Sequence, residues 1–284
     1  MNLKEKFAIF GNQLSYTQSP FIHQLFSQQI GIHYNYTKEL VSINKFEEKL
    51  DIFFGLGGRG ANITSPFKEL ACKKVHKFTD RAYLSGSINT IKKLKNKKLL
   101  GDNTDGIGLL FDLQRLNFIK RGMHILLIGA GGASSGIIPF LLNYGCRITI
   151  TNRTFSKAEI LVKKFFSIGD ISALKMELIN IPKYDLVINA TSASITGDVP
   201  SISHKIFNKK TICYDMFYSF NKTSFLKFAK ENGVSKYADG IGMLVIQAAF
   251  SVKLWYGILP DVSPVLKKIE ENFKKIMNLK KILK

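Results

Sequence analysis

His124-Ile125-Leu126-Leu127-Ile128 runs straight into Gly129-Ala130-Gly131-Gly132-Ala133-Ser134. The apolar run reads as a buried strand, the glycines as a tight turn, and the residues after them as the opening of a helix. Backbone N–H groups at such a helix start can hold a pyrophosphate. The third glycine of the usual dinucleotide fingerprint is missing, and Ser134 stands in its place.

A second apolar run, Ile148-Thr149-Ile150-Thr151, ends in Asn152-Arg153-Thr154. Sites for NAD usually place Asp or Glu about 20 residues after the glycines, to accept from the ribose 2′-OH. Here Arg153 occupies that place, flanked by Asn152 and Thr154, with Lys157 four residues on. A carboxylate would repel a 2′-phosphate, whereas a guanidinium grips it with paired donors. The pattern predicts a nucleotide-binding half that takes NADP(H).

The 284 residues are a soft prior for two domains. The 45% hydrophobic and 22% charged contents are those of an ordinary globular protein. Residues 125–145 carry almost no charge, but glycines at 129, 131, 132 and 136 and Pro139 interrupt them. A buried parallel strand with a buried helix face accounts for that stretch better than a membrane span. The start, Met1-Asn2-Leu3-Lys4-Glu5-Lys6 followed by Phe7-Ala8-Ile9-Phe10, does not read as a signal peptide.

The net charge of +20 raises the question of nucleic acid. The basic residues are 35 Lys and only 6 Arg, and base-edge and phosphate recognition leans on Arg. A lysine-rich solvated surface is expected instead, with a field that draws in anionic substrates. Cys72, Cys146 and Cys213 are scattered and odd in number, which points to a reducing cytoplasm. The five histidines show no ligand spacing, so no metal site is expected.

Along the chain, a strand is expected at 6–11 and a helix at 20–30, opened by Ser19 as N-cap with Pro20 behind it. A strand-like run from Tyr34 to Leu40, an amphipathic segment from Asn44 to Phe54 and a strand end at 60–64 follow. Ser65-Pro66 reads as the start of a second helix, 66–75. Ile88–Leu94 and Lys98–Gly101 read as a hairpin around Asn96. From 107 a helix leads into strands near 124–128, 147–151, 185–189 and 211–215, with helices between. The fold class is α/β: an N-terminal α/β substrate domain (1–105), a Rossmann-like doubly wound domain (106–239) and C-terminal helices (240–284) returning to the first domain.

Four polar clusters in the first domain are candidate site elements. Leu14-Ser15-Tyr16-Thr17-Gln18-Ser19-Pro20 offers hydroxyls at a helix start, suited to a carboxylate or, for Ser19, to capping alone. In Asn62-Ile63-Thr64-Ser65-Pro66-Phe67-Lys68, Lys68 falls in the first turn of the expected helix, where a cation is disfavoured. That cost suggests a role, although Lys68 also reads as one surface lysine among many. Ser87-Ile88-Asn89-Thr90 and Asp102-Asn103-Thr104-Asp105-Gly106 complete the set, Asn89 as a turn residue or ligand and Asp105 as a helix cap or partner of Lys68. Together they supply a Lys–Asp proton-transfer pair and amide donors for hydroxyls.

These clusters give the chain a resemblance to the shikimate dehydrogenase family, running nearly end to end. It rests on Ser-Pro-Phe-Ile-His (19–23), Ala-Asn-Ile-Thr-Ser-Pro-Phe-Lys (61–68), Ile-Asn-Thr (88–90), Gly-Asp-Asn-Thr-Asp-Gly (101–106) and the glycine run at 129–134. It continues through Asn-Arg-Thr (152–154), Ile-Asn-Ala-Thr-Ser (188–192), Tyr-Asp-Met-Phe-Tyr (214–218) and Asp-Gly-Ile-Gly-Met-Leu-Val-Ile-Gln-Ala-Ala (239–249). The resemblance implies reversible NADPH-dependent reduction of 3-dehydroshikimate to shikimate, on the route to chorismate and the aromatic amino acids. It implies Lys68 and Asp105 as catalytic residues. Thr17, Ser19, Thr64, Asn89, Tyr218 and Gln247 join them at the substrate. Asp80, Gly129, Ala130, Gly131, Gly132, Ala133, Asn152, Arg153, Thr154, Phe155, Ser156, Lys157, Met216 and Gly240 are implied at the cofactor.

One departure stands out. The family usually has Ser-x-Ser where this chain has Thr17-Gln18-Ser19. The hydroxyl is kept, and the added methyl bears on substrate shape. The expected state is a cytoplasmic monomer or homodimer without nucleic-acid or membrane partners. The rival readings are a quinate/shikimate dehydrogenase that also uses NAD, a non-catalytic NADP(H) sensor on the same scaffold and, on charge alone, a nucleic-acid binder.

Overall fold

The computed structural model describes residues 5–15 and 17–282, the side chains of 277–282 excepted. Tyr16, quoted with the first hydroxyl cluster, lies outside the described residues. The chain divides into two compact units, one ending at Gly108 but joined by Leu244–Val265, the other formed by Leu109–Met243 with Leu266 onward.

The first unit contains β1 (Lys6–Gly11), α1 (Ser19–Gln29), β2 (Asn35–Leu40), α2 (Phe46–Gly55), β3 (Gly58–Ile63), β4 (Lys77–Phe78), α3 (Asp80–Ser85), β5 (Thr90–Lys93) and β6 (Leu99–Asp102). Its strands lie in the order β2-β1-β3-β5-β6-β4. β1 is parallel to both neighbours, whereas β5 is antiparallel to β3 and β6. All of β1 after Lys6 is buried, so its apolar run does not alternate. One face packs Phe10, Phe46, Leu50, Ile63, Phe67 and Ile91 into a core. The other gathers Phe7, Tyr34 and Trp255. Gly60 makes room for that second cluster, since a Cβ there would lie 2.5 Å from Trp255 Nε1. The hairpin between β5 and β6 pairs Lys93 with Leu99, and Lys97 takes the left-handed conformation in its turn.

The expected helix at 66–75 does not form. Residues 65–69 make turns, and only Leu70–Lys73 wind into a 3₁₀ helix. Two tertiary demands outweigh the local pattern. Phe67 is fully buried and stacks on Phe46 at 4.4 Å, and the Lys68 carbonyl accepts the Ile88 N–H. The cost once expected for a cation in a helical first turn therefore does not apply to Lys68.

The second unit begins within α4 (Asp105–Arg115) and continues through β7 (His124–Ile128), α5 (Gly132–Asn143), β8 (Arg147–Thr151), α6 (Phe155–Phe165), β9 (Ile171–Ala173), β10 (Leu186–Asn189), α7 (Ala193–Thr196), β11 (Ile212–Asp215), α8 (Ser224–Glu231) and β12 (Lys236–Asp239). α9 (Ile241–Tyr256) runs from this unit into the first, and α10 (Ser263–Ile282) follows. The sheet order is β12-β11-β10-β7-β8-β9, every pair parallel. This is the doubly wound order, with its switch point between β7 and β10. The edge strands β9 and β12 add to the four expected here. They have three and four residues.

The closing helices differ from expectation in one respect. Leu244–Val265 joins the first unit, but Leu266 onward belongs to the second. There Phe273 of α10 meets Phe220 edge-on at 4.6 Å.

In the first unit His23 is fully buried, shares a 3.0 Å hydrogen bond between Nδ1 and Tyr34 OH, and stacks on Tyr36 at 4.0 Å. Burial pushes its imidazole down to about 3 from the ordinary 6.5. Between those values the unfolded chain binds a proton that the folded chain refuses. Acidification should thus cost stability at about 1.4 kcal/mol per pH unit from this residue. Urea unfolding from pH 6 to about pH 4 is expected to show a shallower loss for His23→Gln than for the parent. Equal slopes would show that His23 is not the group responsible.

Candidate active site

Lys68 Nζ lies 2.6 Å from Asp105 Oδ2, with both side chains nearly withdrawn from water at 12% and 7% exposure. Lys68 comes from the turn after β3, and Asp105 opens α4. The other carboxylate oxygen accepts from Asn89 Nδ2 at 2.8 Å. Asn89 Oδ1 accepts the Thr104 N–H at 2.8 Å, which establishes the amide's orientation. Gln247 of α9 brings Oε1 to 3.3 Å from Asn89 Nδ2. Lys68, Asp105, Asn89 and Gln247 are thus gathered in one place. An ammonium held by a carboxylate, beside amide groups, can pass a proton to a substrate oxygen and bind its hydroxyls.

Thr17 and Ser19 also meet, Thr17 Oγ1 donating to Ser19 Oγ at 3.1 Å. The N-cap of α1 is Gln18, with no side-chain cap bond, so Ser19 does not play the capping role expected of it. Ser19 is the first helical residue, and its hydroxyl also bonds to Tyr36. Two hydroxyls at a helix start that carries no acidic residue in its first turn suit a carboxylate. Thr64 directly follows β3, its N–H bonded to the Phe10 carbonyl and its side chain against Gly11.

In the second unit, Gly129 leaves β7 in the left-handed region at φ +111°, with Ala190 and Thr191 so close that a side chain would crowd them. Gly131 caps α5 with open space where a Cβ would be. Ala130 to Ala133 stay at least partly exposed. Buried Ser134, in place of the third glycine, donates its hydroxyl to the Gly129 carbonyl at 2.8 Å and closes the turn. The Gly129 N–H bonds to the Thr151 carbonyl, which sets Asn152-Arg153-Thr154 beside the glycines. Arg153 is exposed and forms no ion pair among the described residues. Asn152 Nδ2 donates to the Thr154 carbonyl, and Thr154 precedes α6, whose first turn contains Phe155, Ser156 and Lys157. The backbone of a helix start next to an exposed guanidinium fits a dinucleotide with a 2′-phosphate.

Met216 and Gly240 meet where β11 and β12 end. The Gly240 N–H bonds to the Phe217 carbonyl, and a Cβ at 240 would fall 2.2 Å from the Met216 oxygen. Tyr218 lies in the same loop, stacked on Phe217. Two acids hold this loop, Asp215 fully buried and Asp239 partly so. Asp215 accepts from Asn189, Ser194 and the Phe217 N–H, and Asp239 from the N–H groups of Ile241 and Ser219. Burial raises both, Asp239 to about 6. Tyr218 belongs to the second unit, unlike the other expected substrate residues.

Asp80 is exposed in the first turn of α3 in the first unit, apart from the glycine turn's unit. Its neighbour Arg81, which the sequence analysis passed over, forms a two-pronged ion pair with fully buried Asp102. Asp102 also holds Thr79 and the Asn103 N–H, and Asn103 Oδ1 accepts the Asp105 N–H. The signal was in the run at 102–105, where so many polar residues in a buried stretch require donors from elsewhere. No group of three or more metal-binding side chains occurs among the described residues. No helix among them is long and apolar enough to cross a membrane.

A buried lysine–carboxylate pair in one unit and a doubly wound parallel sheet with a glycine turn in the other fit the class of dinucleotide-dependent dehydrogenases. Two family models match: shikimate dehydrogenase substrate binding domain over residues 9–91 and shikimate / quinate 5-dehydrogenase over 114–198. The chain belongs to the shikimate dehydrogenase family and is an oxidoreductase. It is 34% identical to an Ael1 enzyme from Pseudomonas putida, covering 93% of this chain and 98% of that one, with a TM-score of 0.85. The shikimate 5-dehydrogenase of Thermus thermophilus, solved with NADP(H) and shikimate, is 27% identical, with 95% and 99% coverage and a TM-score of 0.82. That of Listeria monocytogenes, solved with shikimate and NAD, is 25% identical, with 95% and 97% coverage and a TM-score of 0.83.

The close approach at Gly240 yields a test. Gly240→Ala must displace the Met216 backbone, because no flexible side chain is there to give way. Urea unfolding should show a loss of roughly 1–3 kcal/mol, whereas an unchanged midpoint would contradict the packing described.

Proposed function

We propose that this chain catalyses the reversible NADPH-dependent reduction of 3-dehydroshikimate to shikimate, feeding chorismate and aromatic amino acid synthesis. The observation that carries the reading is the buried Lys68–Asp105 contact with Asn89 on its second oxygen. NADPH supplies a hydride to the C3 carbonyl when bound. Lys68 Nζ gives the proton to the developing alkoxide and stabilises its charge. Asp105 orients Lys68 and, with Thr64, Asn89 and Gln247, holds ring hydroxyls. Thr17 and Ser19 receive the carboxylate, and Tyr218 is a further substrate residue.

Gly129, Ala130, Gly131, Gly132 and Ala133 receive the diphosphate. Asn152, Arg153, Thr154, Phe155, Ser156 and Lys157 receive the adenosine 2′-phosphate end, while Met216 and Gly240 line the nicotinamide end. Asp80 has the weakest support among the cofactor residues, since it sits in the first unit. The enzyme works in the cytoplasm as a monomer or homodimer, a setting suited by three cysteines that form no disulfide among the described residues.

The direct test is the loss of NADPH absorbance when 3-dehydroshikimate is added to pure protein. Rapid turnover is expected, and NADPH binding without turnover would move the reading to another carbonyl substrate or to a sensor. Lys68→Ala should lower kcat by about 10²–10⁴-fold with a smaller change in KM. Activity within a few-fold of the parent would remove Lys68 from the mechanism. Arg153→Ala should weaken NADPH far more than NADH, and equal losses would show that Arg153 does not read the 2′-phosphate.

A further inference from the structure

Four polar side chains from four elements meet behind Asn89: Tyr36 of β2, Asn62 of β3, Thr90 of β5 and Ser251 of α9. Asn62, Thr90 and Ser251 are buried. Tyr36 OH donates to Asn62 Oδ1 at 2.7 Å. Asn62 Nδ2 lies 2.9 Å from Ser251 Oγ, 3.1 Å from Thr90 Oγ1 and 3.2 Å from the Asn89 carbonyl oxygen. The two hydroxyl oxygens are 2.8 Å apart, and Thr90 Oγ1 donates to Asn89 Oδ1 at 2.9 Å.

Counting protons sets the direction of this chain. The oxygen of Asn62 must face Tyr36, so its amide nitrogen faces the hydroxyls. Asn89 Oδ1 takes the hydroxyl of Thr90 and the N–H of Thr104, so its nitrogen is left for Asp105. Apolar side chains of similar size would fill this space without any polar group to satisfy. A buried polar network is costly unless complete, and here it ends on the residue that touches the Lys68–Asp105 pair.

We propose that Thr90, held by Asn62 and Ser251, is a positioning residue for the reaction. Its hydroxyl joins the Thr104 N–H in holding the Asn89 amide, which in turn holds the Asp105 carboxylate that faces Lys68. This rests on the reading that Lys68 and Asp105 move the substrate's proton.

Thr90→Val keeps the shape and removes the hydroxyl, whereas Thr90→Ser keeps the hydroxyl. Thr90→Val should lower kcat for 3-dehydroshikimate about tenfold, the effect of one lost buried hydrogen bond, with KM for NADPH unchanged. Thr90→Ser should stay within about twofold of the parent, and Tyr36→Phe, two bonds further out, should fall between them. Unchanged kcat in Thr90→Val, or an equal fall in Thr90→Ser, would overturn the proposal.

Hydrogen exchange of the Asn89 side-chain amide, assigned by NMR, reads the same device without turnover. It should be slow in the parent and in Thr90→Ser but fast in Thr90→Val. Equal exchange in all three would also overturn it. A parent chain inactive on 3-dehydroshikimate would sink the catalytic reading, and this exchange measurement would still decide the positioning.

Discussion

Neither the Lys68 ammonium nor the Asp105 carboxylate could be kept out of water alone. An isolated buried charge is far too costly, and the usual remedy is a partner with further hydrogen bonds on the remaining sites. Asp105 has both, Lys68 on one oxygen and Asn89 on the other. Much of the first unit follows from this demand. The turn after β3, the start of α4, the end of the loop into β5 and a turn of α9 must all converge on one point. A strand order that sets β5 between β3 and β6 makes that convergence possible.

The loop from Asp102 to Asp105 shows how the demand spreads. Asp102 is fully buried and answered by Arg81, Thr79 and the Asn103 N–H. Asn103 then reaches the Ser87 carbonyl with its nitrogen and the Asp105 N–H with its oxygen. Each polar group is satisfied by the next, so the carboxylate that faces Lys68 sits on a frame with little freedom to move. In water such bonds would each be worth little, but in a dry interior an unmade one is expensive.

The second unit solves a different problem. All its strands are parallel, so their carboxyl ends open on the same edge of the sheet, and ligand contacts come from the loops there. Close backbone approach is the recurring device. Gly129 passes under Ala190, and Gly240 passes against the Met216 carbonyl. Buried Asp215 and half-buried Asp239 then hold the loop between β11 and α8 in place. Its Met216 and Tyr218 owe their positions to these acids rather than to any regular element.

Signals carried within a few residues were legible in the sequence. The apolar run before the glycines, the arginine after the next strand and the hairpin about Asn96 all depend on local periodicity and turn chemistry. Each forms where it was expected. Lys68 and Asp105 could be named as a pair from residue type and family resemblance, without their separation being known.

What only the tertiary structure decided lies where distant residues compete with local preference. Pro66 begins no helix, because Phe67 gains more by stacking on Phe46. Ser19 does not cap α1, and its hydroxyl instead accepts from Thr17 and bonds to Tyr36. Ser134 replaces a glycine because its hydroxyl finds the Gly129 carbonyl. Tyr36, Asn62, Thr90 and Ser251 share no spacing that marks them as neighbours. Hydrogen bonds act over about 3 Å, and only the folded backbone brings such residues within that reach.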